Sequence, residues 1–168
     1  MLGKGGQVPV ANWQLYQAAV VRLSVDGAWL QVAPAEPGVH AGAFPDPEGR
    51  TIHVITAHNP RGRTVPAADN ARAHRRLTAE LDALALSWWP AAGGDVTWTH
   101  VEESVAVVGL DDDTARRIGA RYEQDAVFAW DPRRWRLLEC EGDHQVTSGW
   151  SVTVPMPVTV PDERGGPA

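Results

Sequence analysis

The stretch TIHVITA (51–57) is apolar on both alternating sets of side chains, Ile52 and Val54 on one, Ile55 and Ala57 on the other. A strand with one wet face needs only one apolar set, so this run predicts a central strand covered on both sides. Asn59-Pro60 ends it, because the residue before a proline is pushed toward extended or turn backbone. The cover comes next in the chain. His74, Leu77, Leu81, Leu84 and Trp88 recur at helical spacing and predict a helix from Pro66 to Trp88, with Arg72, Arg75, Ala79 and Asp82 mostly off that face. Pro66 with Asp69 or Asn70 suits its first turn, and Trp89-Pro90 and Gly93-Gly94 read as its end.

Strand signals dominate the rest. Asp26-Gly27 between two β-rich runs predicts a hairpin of about 19–25 with 28–33. Residues 34–50 are dense in proline and glycine and read as a long loop. An extended stretch from 96 has its strongest strand at 103–110. The acids 111–113 then open a second helix, about 112–122, whose arginines 116, 117 and 121 complement the helix dipole. DAVFAWD (125–131) and WRLLECE (135–141) form another hairpin, and a last edge strand is expected near 150–154 because Pro155, Pro157 and Pro161 disfavour a central one. The order β-β-β-α-β-α-β-β predicts an α+β fold: a mostly antiparallel or mixed sheet of about five to seven strands with two main helices packed on it. One domain is expected over 13–154, between a flexible tail at 1–12 and a Pro/Gly-rich tail at 155–168.

The hydrophobic content of 43% is too high for a disordered chain. No apolar run reaches the length of a membrane span, and MLGKGGQVPVANW lacks the apolar segment of a signal peptide, so a cytoplasmic location is expected. A single cysteine, Cys140, excludes an internal disulfide and a multi-cysteine zinc site, and reads as a buried thiol. The abundance of arginine and alanine, with Lys4 as the one lysine, suggests a bacterial genome rich in GC. A net charge of −6 argues against general nucleic-acid binding. Charge is uneven, however: Arg50, Arg61, Arg63, Arg72, Arg75 and Arg76 face only Asp69 within 50–76, so a local basic face is available to phosphate or carboxylate groups.

Familiar chemical motifs fail on their spacing. GKGG (3–6) lacks the second half of a phosphate loop. His100-Val101-Glu102 resembles half a zinc-deaminase motif, but the paired cysteines are missing. His144 among Glu139, Glu141 and Asp143 reads as a solvated loop, so no metal site and no cofactor are expected. Strand ends are more informative, since polar groups there reach a ligand while a rigid sheet positions them. Thr56, His58 and Asn59 end one strand. Glu102 and Ser104 share a face at the start of another, Gln124 and Asp125 open a third, and Asn70 lies early in the long helix.

At these residues the sequence resembles a known family. VITAHNP (54–60), DNARAHRRLTAELDAL (69–84), EESVAVVGL (102–110) and RIGARYEQDAVFAW (117–130) look like successive blocks of the domain of unknown function 3293 family, over about residues 13–140. The resemblance implies that Thr56, Asn59, Pro60, Asn70, Glu102, Ser104 and Gln124 hold that family's signature positions. It departs from the pattern at His58, where an aromatic is expected, and at Glu123, where glycine is expected before the glutamine. The family name supplies no activity.

Three functions remain open. The first is a binding or regulatory module that recognises a small polar or anionic ligand, or a protein partner, through Thr56, Asn59, Asn70, Glu102, Ser104 and Gln124, with Arg72 or a neighbouring arginine meeting negative charge. Amides favour it, because Asn and Gln recognise without titrating. The second is a small hydrolase or lyase with Glu102 as general base and His58 or His100 as its complement. The third, disfavoured by the acidic total, is weak nucleic-acid contact through 61–76 with a stacking tryptophan from the pair at 88–89.

Overall fold

The computed structural model describes residues 8–155. The expected tails fall mostly outside that span; within it, helix α1 (Val10–Ala18) already begins in what reads as tail. Strands β1 (Val20–Val25) and β2 (Ala28–Ala35) follow, then the short β3 (His40–Ala41) and β4 (Ile52–Thr56). A 3-10 turn (Pro60–Gly62) leads to α2 (Ala67–Ala83), then β5 (Trp88–Gly94) and β6 (Val101–Val108). Helix α3 (Asp112–Arg121) precedes β7 (Ala126–Asp131), β8 (Arg134–Glu139) and β9 (Gln145–Thr153).

The strands lie in the order β2-β1-β5-β6-β4-β7-β8-β9, and β9 pairs back onto β2, so eight antiparallel strands close into a barrel. β3 adds to β9 in parallel from outside that ring. The predicted open sheet of about five to seven strands with two helices is therefore corrected to a closed barrel with an extra strand and three helices. Three local readings account for the difference. WWPAAGG, read as a helix end, is β5. Pro90 pairs with Val105 of β6 but lies beyond the register shared with β1, so it sits where the strand has one partner. The helix stops at Ala83 because Ala85 takes a left-handed φ of 55°, with Leu86 N–H donating to Leu81 O and Ala85 N–H to Asp82 O. That is the double bond pattern usually marked by glycine at this position, which alanine conceals. Finally, β9 starts at Gln145 and is no edge: its first half pairs with β8 and its second half with β2.

Alternation along the strands separates two cores. Val21, Leu23, Val32, Ile52, Val54, Ala91, Ala106, Trp130, Trp135 and Trp150 point into the barrel. Ile55, Val105, Val107, Val127, Ala129 and Leu138 point outward and are covered by Leu77 and Leu81 of α2 and by Ala115 and Ile118 of α3. The apolar sets of β4 thus serve both layers. At the Ile52 end aromatic rings fill the barrel: Phe44 stands edge-on to Trp130 with centroids 4.9 Å apart, and Trp130 to Trp150 at 5.4 Å. Beneath the start of α3, the fully buried His53 meets Asp112 at 2.8 Å, and Arg136 forks onto the same carboxylate. Burial opposes the Asp112 charge, yet Arg136 and His53 hold its pKa down to about 2, while burial lowers that of His53. No helix among the described residues is long and apolar enough to cross a membrane.

Candidate functional site

The other end of the barrel is not filled. A cavity of about 380 Å³ opens there, walled by inward side chains of the strands and roofed by α1 with the chain around Gly62 and Thr64. The cause is local. Gly93 faces inward between Glu102 and Val21 and has no side chain to fill the mouth. Val54, Phe128 and Leu137 make an apolar floor. Tyr16 of α1 donates a 2.7 Å hydrogen bond to Asp125, which fixes the roof to the start of β7. Burial, then the Asp125 bond, raises the Tyr16 pKa well above its ordinary value, so the phenol stays a donor.

Thr56, Asn59, Glu102, Ser104 and Gln124 all line this cavity. Thr56 and Ser104 are register partners across β4 and β6, and Glu102 is two residues from Ser104 on the same inward face. Asn59 and Asn70 form a reciprocal pair: Asn59 N–H donates to Asn70 Oδ1 at 2.9 Å, and Asn70 Nδ2 donates to Asn59 Oδ1 at 3.0 Å. Asn59 Nδ2 then donates to Glu102 Oε1 at 2.9 Å. Asn70 is thus no helix cap; it holds Asn59, which orients Glu102. Burial raises the Glu102 pKa, opposed by the Asn59 bond. Gln124 Nε2 is spent on the His58 and Tyr122 carbonyls at 2.8 and 3.2 Å. Thr56 Oγ1 donates to Glu103 O and accepts from His58 N–H. Ser104 Oγ donates to Glu102 O.

After these bonds several acceptors in the cavity remain open. Among the described residues nothing donates to Glu102 Oε2, Gln124 Oε1 or Asp125 Oδ1. His100 and Asp95 also line the mouth, with Asp95 occupied by its own loop through Thr97, Thr99 and His100.

Two sequence candidates lie elsewhere. Arg72 is exposed on α2 and paired with Asp69 one turn away. The His58 ring is absent from the cavity lining and stands edge-on to His74, at 6.1 Å between centroids. Burial and then His74 lower its pKa. The structure therefore separates Glu102 from His58 and leaves His100 as the histidine on its side of the wall. His144, set aside as a ligand, packs its ring against Trp13 at 4.9 Å. Sequence reasoning missed Tyr16 and Gly93. One reads as a helix-face aromatic and the other as a helix breaker; the β5–β6 pairing sets Gly93 opposite Glu102, and the docking of α1 brings Tyr16 to the same cavity. A second hollow, of about 660 Å³, lies open beside the β7–β8 turn, where Arg134 and Asp131 already pair with each other.

The matched turns explain a departure noted above. Glu123, where glycine is expected, has a φ of 55°, in the left-handed region that glycine favours. Comparison with known proteins returned no match among curated proteins or solved structures. The profile of the family described as protein of unknown function (DUF3293) matches residues 55–127, a narrower span than the resemblance suggested, running from β4 into β7. That span carries Thr56, Asn59, Asn70, Glu102, Ser104 and Gln124, and over it the chain is similar to the domain of unknown function 3293 family.

Proposed function

We propose that this protein is a small-ligand-binding barrel whose ligand presents hydrogen-bond donors, an amine or a polyhydroxyl group, to Glu102. The observation that carries the reading is the cavity itself: five polar side chains from β4, β6 and the turns at Asn59 and Gln124 converge on one apolar-floored mouth. Eight-stranded barrels are wide enough to hold one small ligand, and such sites are commonly apolar with a few placed polar groups. Because the cavity holds the carboxylates of Glu102 and Asp125, each with an oxygen that no described residue donates to, donors fit better than the anions that the arginine-rich segment suggested. Arg61 reaches Glu141 and Arg72 reaches Asp69, so both are engaged outside the cavity. The same pairs weaken the nucleic-acid reading, as does Trp88, which packs against the helix-covered core and donates to Asp82.

The test is calorimetric titration of a panel of small amines and polyols into the wild type, Glu102→Gln and Gly93→Val. A hydrogen bond to a charged group is worth about 1.5–3 kcal/mol, so Glu102→Gln is expected to weaken binding roughly tenfold or more. Gly93→Val fills the mouth, since an added Cβ meets only Ser104 Oγ at 4.0 Å, and is expected to abolish binding in a folded protein. Binding unaffected by both variants, or none by the wild type, rejects the proposal.

A second reading has one observation in its favour: burial raises the Glu102 pKa, as a general base requires. Its complement would be His100. Incubating a metabolite extract with wild type and Glu102→Gln, followed by mass spectrometry, separates the two readings. Turnover that depends on Glu102 supports catalysis, and its absence leaves binding alone.

A further inference from the structure

We propose that His58, His74 and Glu103 form a binding site for a zinc-class divalent cation on the outer wall of the barrel. The three residues come from separate elements: His58 from the turn after β4, His74 from the middle of α2, and Glu103 from the outward face of β6. One ligand atom of each lies within 4.8 Å of the other two. His74 Nε2 and Glu103 Oε1 are already 3.2 Å apart.

An unused valence points to a missing ligand. His58 Nε2 is buried and has no hydrogen-bond partner among the described residues. A simple His74–Glu103 ion pair leaves His58 Nε2 stranded, and a desolvated, unsatisfied nitrogen is costly. A cation at the centre of the trio would engage it. Metal–ligand bonds of about 2.0–2.1 Å place the ligand atoms of a tetrahedral zinc roughly 3.3 Å apart. His74 and Glu103 meet that spacing, and the His58 ligand atom lies within 4.8 Å of both. Glu103 is 61% exposed and so free to adjust.

The donor set selects the class of metal. Two imidazoles with one carboxylate suit zinc, nickel or copper; calcium and magnesium require oxygen-rich shells. Three protein ligands leave a fourth position, on the exposed Glu103 side, for water or an outside ligand. Glu103 and Glu102 are consecutive residues on opposite faces of β6, so the cation and the cavity lie on two sides of one wall. Bound metal would tie α2 to the barrel beside the Asn59–Asn70 pair, and the site stands whether or not the cavity binds a ligand.

The experiment is calorimetric titration of zinc chloride, then magnesium chloride, into the chelator-stripped full chain, with cobalt chloride as a spectroscopic probe. The wild type is expected to bind one zinc ion, to ignore magnesium, and to give the visible bands of tetrahedral cobalt. His58→Phe keeps a ring in place, and Glu103→Gln alters only an exposed side chain, so both variants should fold, as circular dichroism would verify. Each is expected to lose at least about tenfold in zinc affinity, because even groups that merely support a ligand are worth about that much. His144→Ala is expected to bind as the wild type does. No zinc binding by the folded wild type overturns the proposal. So does stoichiometric binding that survives both His58→Phe and Glu103→Gln.

Discussion

Asn59, Arg61 and Glu123 have φ values of 47°, 53° and 55°, and they meet where Arg61 N–H donates to Glu123 O at 2.7 Å. Two turns on either side of the cavity are therefore joined through backbone that side chains disfavour. At Asn59 the conformation has a use, because it aims the amide at Glu102 while the main-chain N–H reaches Asn70. Asparagine tolerates the left-handed region better than most residues. Glu123 has no such compensation: its contact with Arg61 is a 4.0 Å pair between exposed groups, worth little. Replacing it with glycine removes about 1–2 kcal/mol of backbone strain. The added freedom of the unfolded chain takes back roughly half of that. Glu123→Gly should therefore raise the melting temperature by about 2 °C for a chain of this size, without changing ligand binding. A lower melting temperature would mean that the Glu123 side chain holds the turn in a way its contacts do not reveal.

At the level of elements, the signals that sequence carries are the local ones. The Asp26-Gly27 hairpin appears with both residues at positive φ, β4 is covered on both faces, and Asp111 caps α3 by accepting from Thr114 N–H. Elements whose marks are ambiguous were not legible. Alanine replaces glycine at the end of α2, and Gly93 and Gly94 lie inside a strand that reads as a breaker. Of the candidate site, the residues at strand starts and ends converge because alternation puts Thr56, Glu102 and Ser104 on one face. The Tyr16 roof and the His74–Glu103 pair were hidden, since they depend on how helices dock. Docking of α3 is close: a Cβ at Gly119 would lie 2.6 Å from Cys140 Sγ and 2.8 Å from Val127 Cγ1. Cys140 is correspondingly an inert thiol, its pKa pushed up to about 12 by burial. Gly119→Ala gains helix propensity but overpacks this contact, and should destabilise by about 1–3 kcal/mol in urea unfolding. A stabilised variant would show that α3 can lift off the sheet at little cost.

For the whole molecule the decisive feature is closure, which rests on β9 changing partners. Gln145 to Ser148 pair with β8, and Gly149 to Thr153 pair with β2, so the seam lies at Ser148-Gly149. The chain between β2 and β3 crosses this point: Trp150 N–H donates to Val39 O at 2.9 Å, and a Cβ at Gly149 would run into the Val39 and Glu36 carbonyl oxygens. Those obstacles are backbone, which cannot swing aside as a side-chain end can. An alanine here must either push residues 36–39 away, losing the Trp150 bond, or displace β9 from β2 and open the barrel. Both routes disturb Trp150, which is buried against Trp130. Gly149→Ala should cost about 2–3 kcal/mol, at the upper end of overpacking effects. The loss should also be local to the seam. In native-state hydrogen exchange, amides of β2 and the second half of β9 should lose protection, while those of β4 and β6, on the far side of the ring, keep theirs. Uniform loss of protection would instead mean that the barrel has no weak seam and opens only by global unfolding.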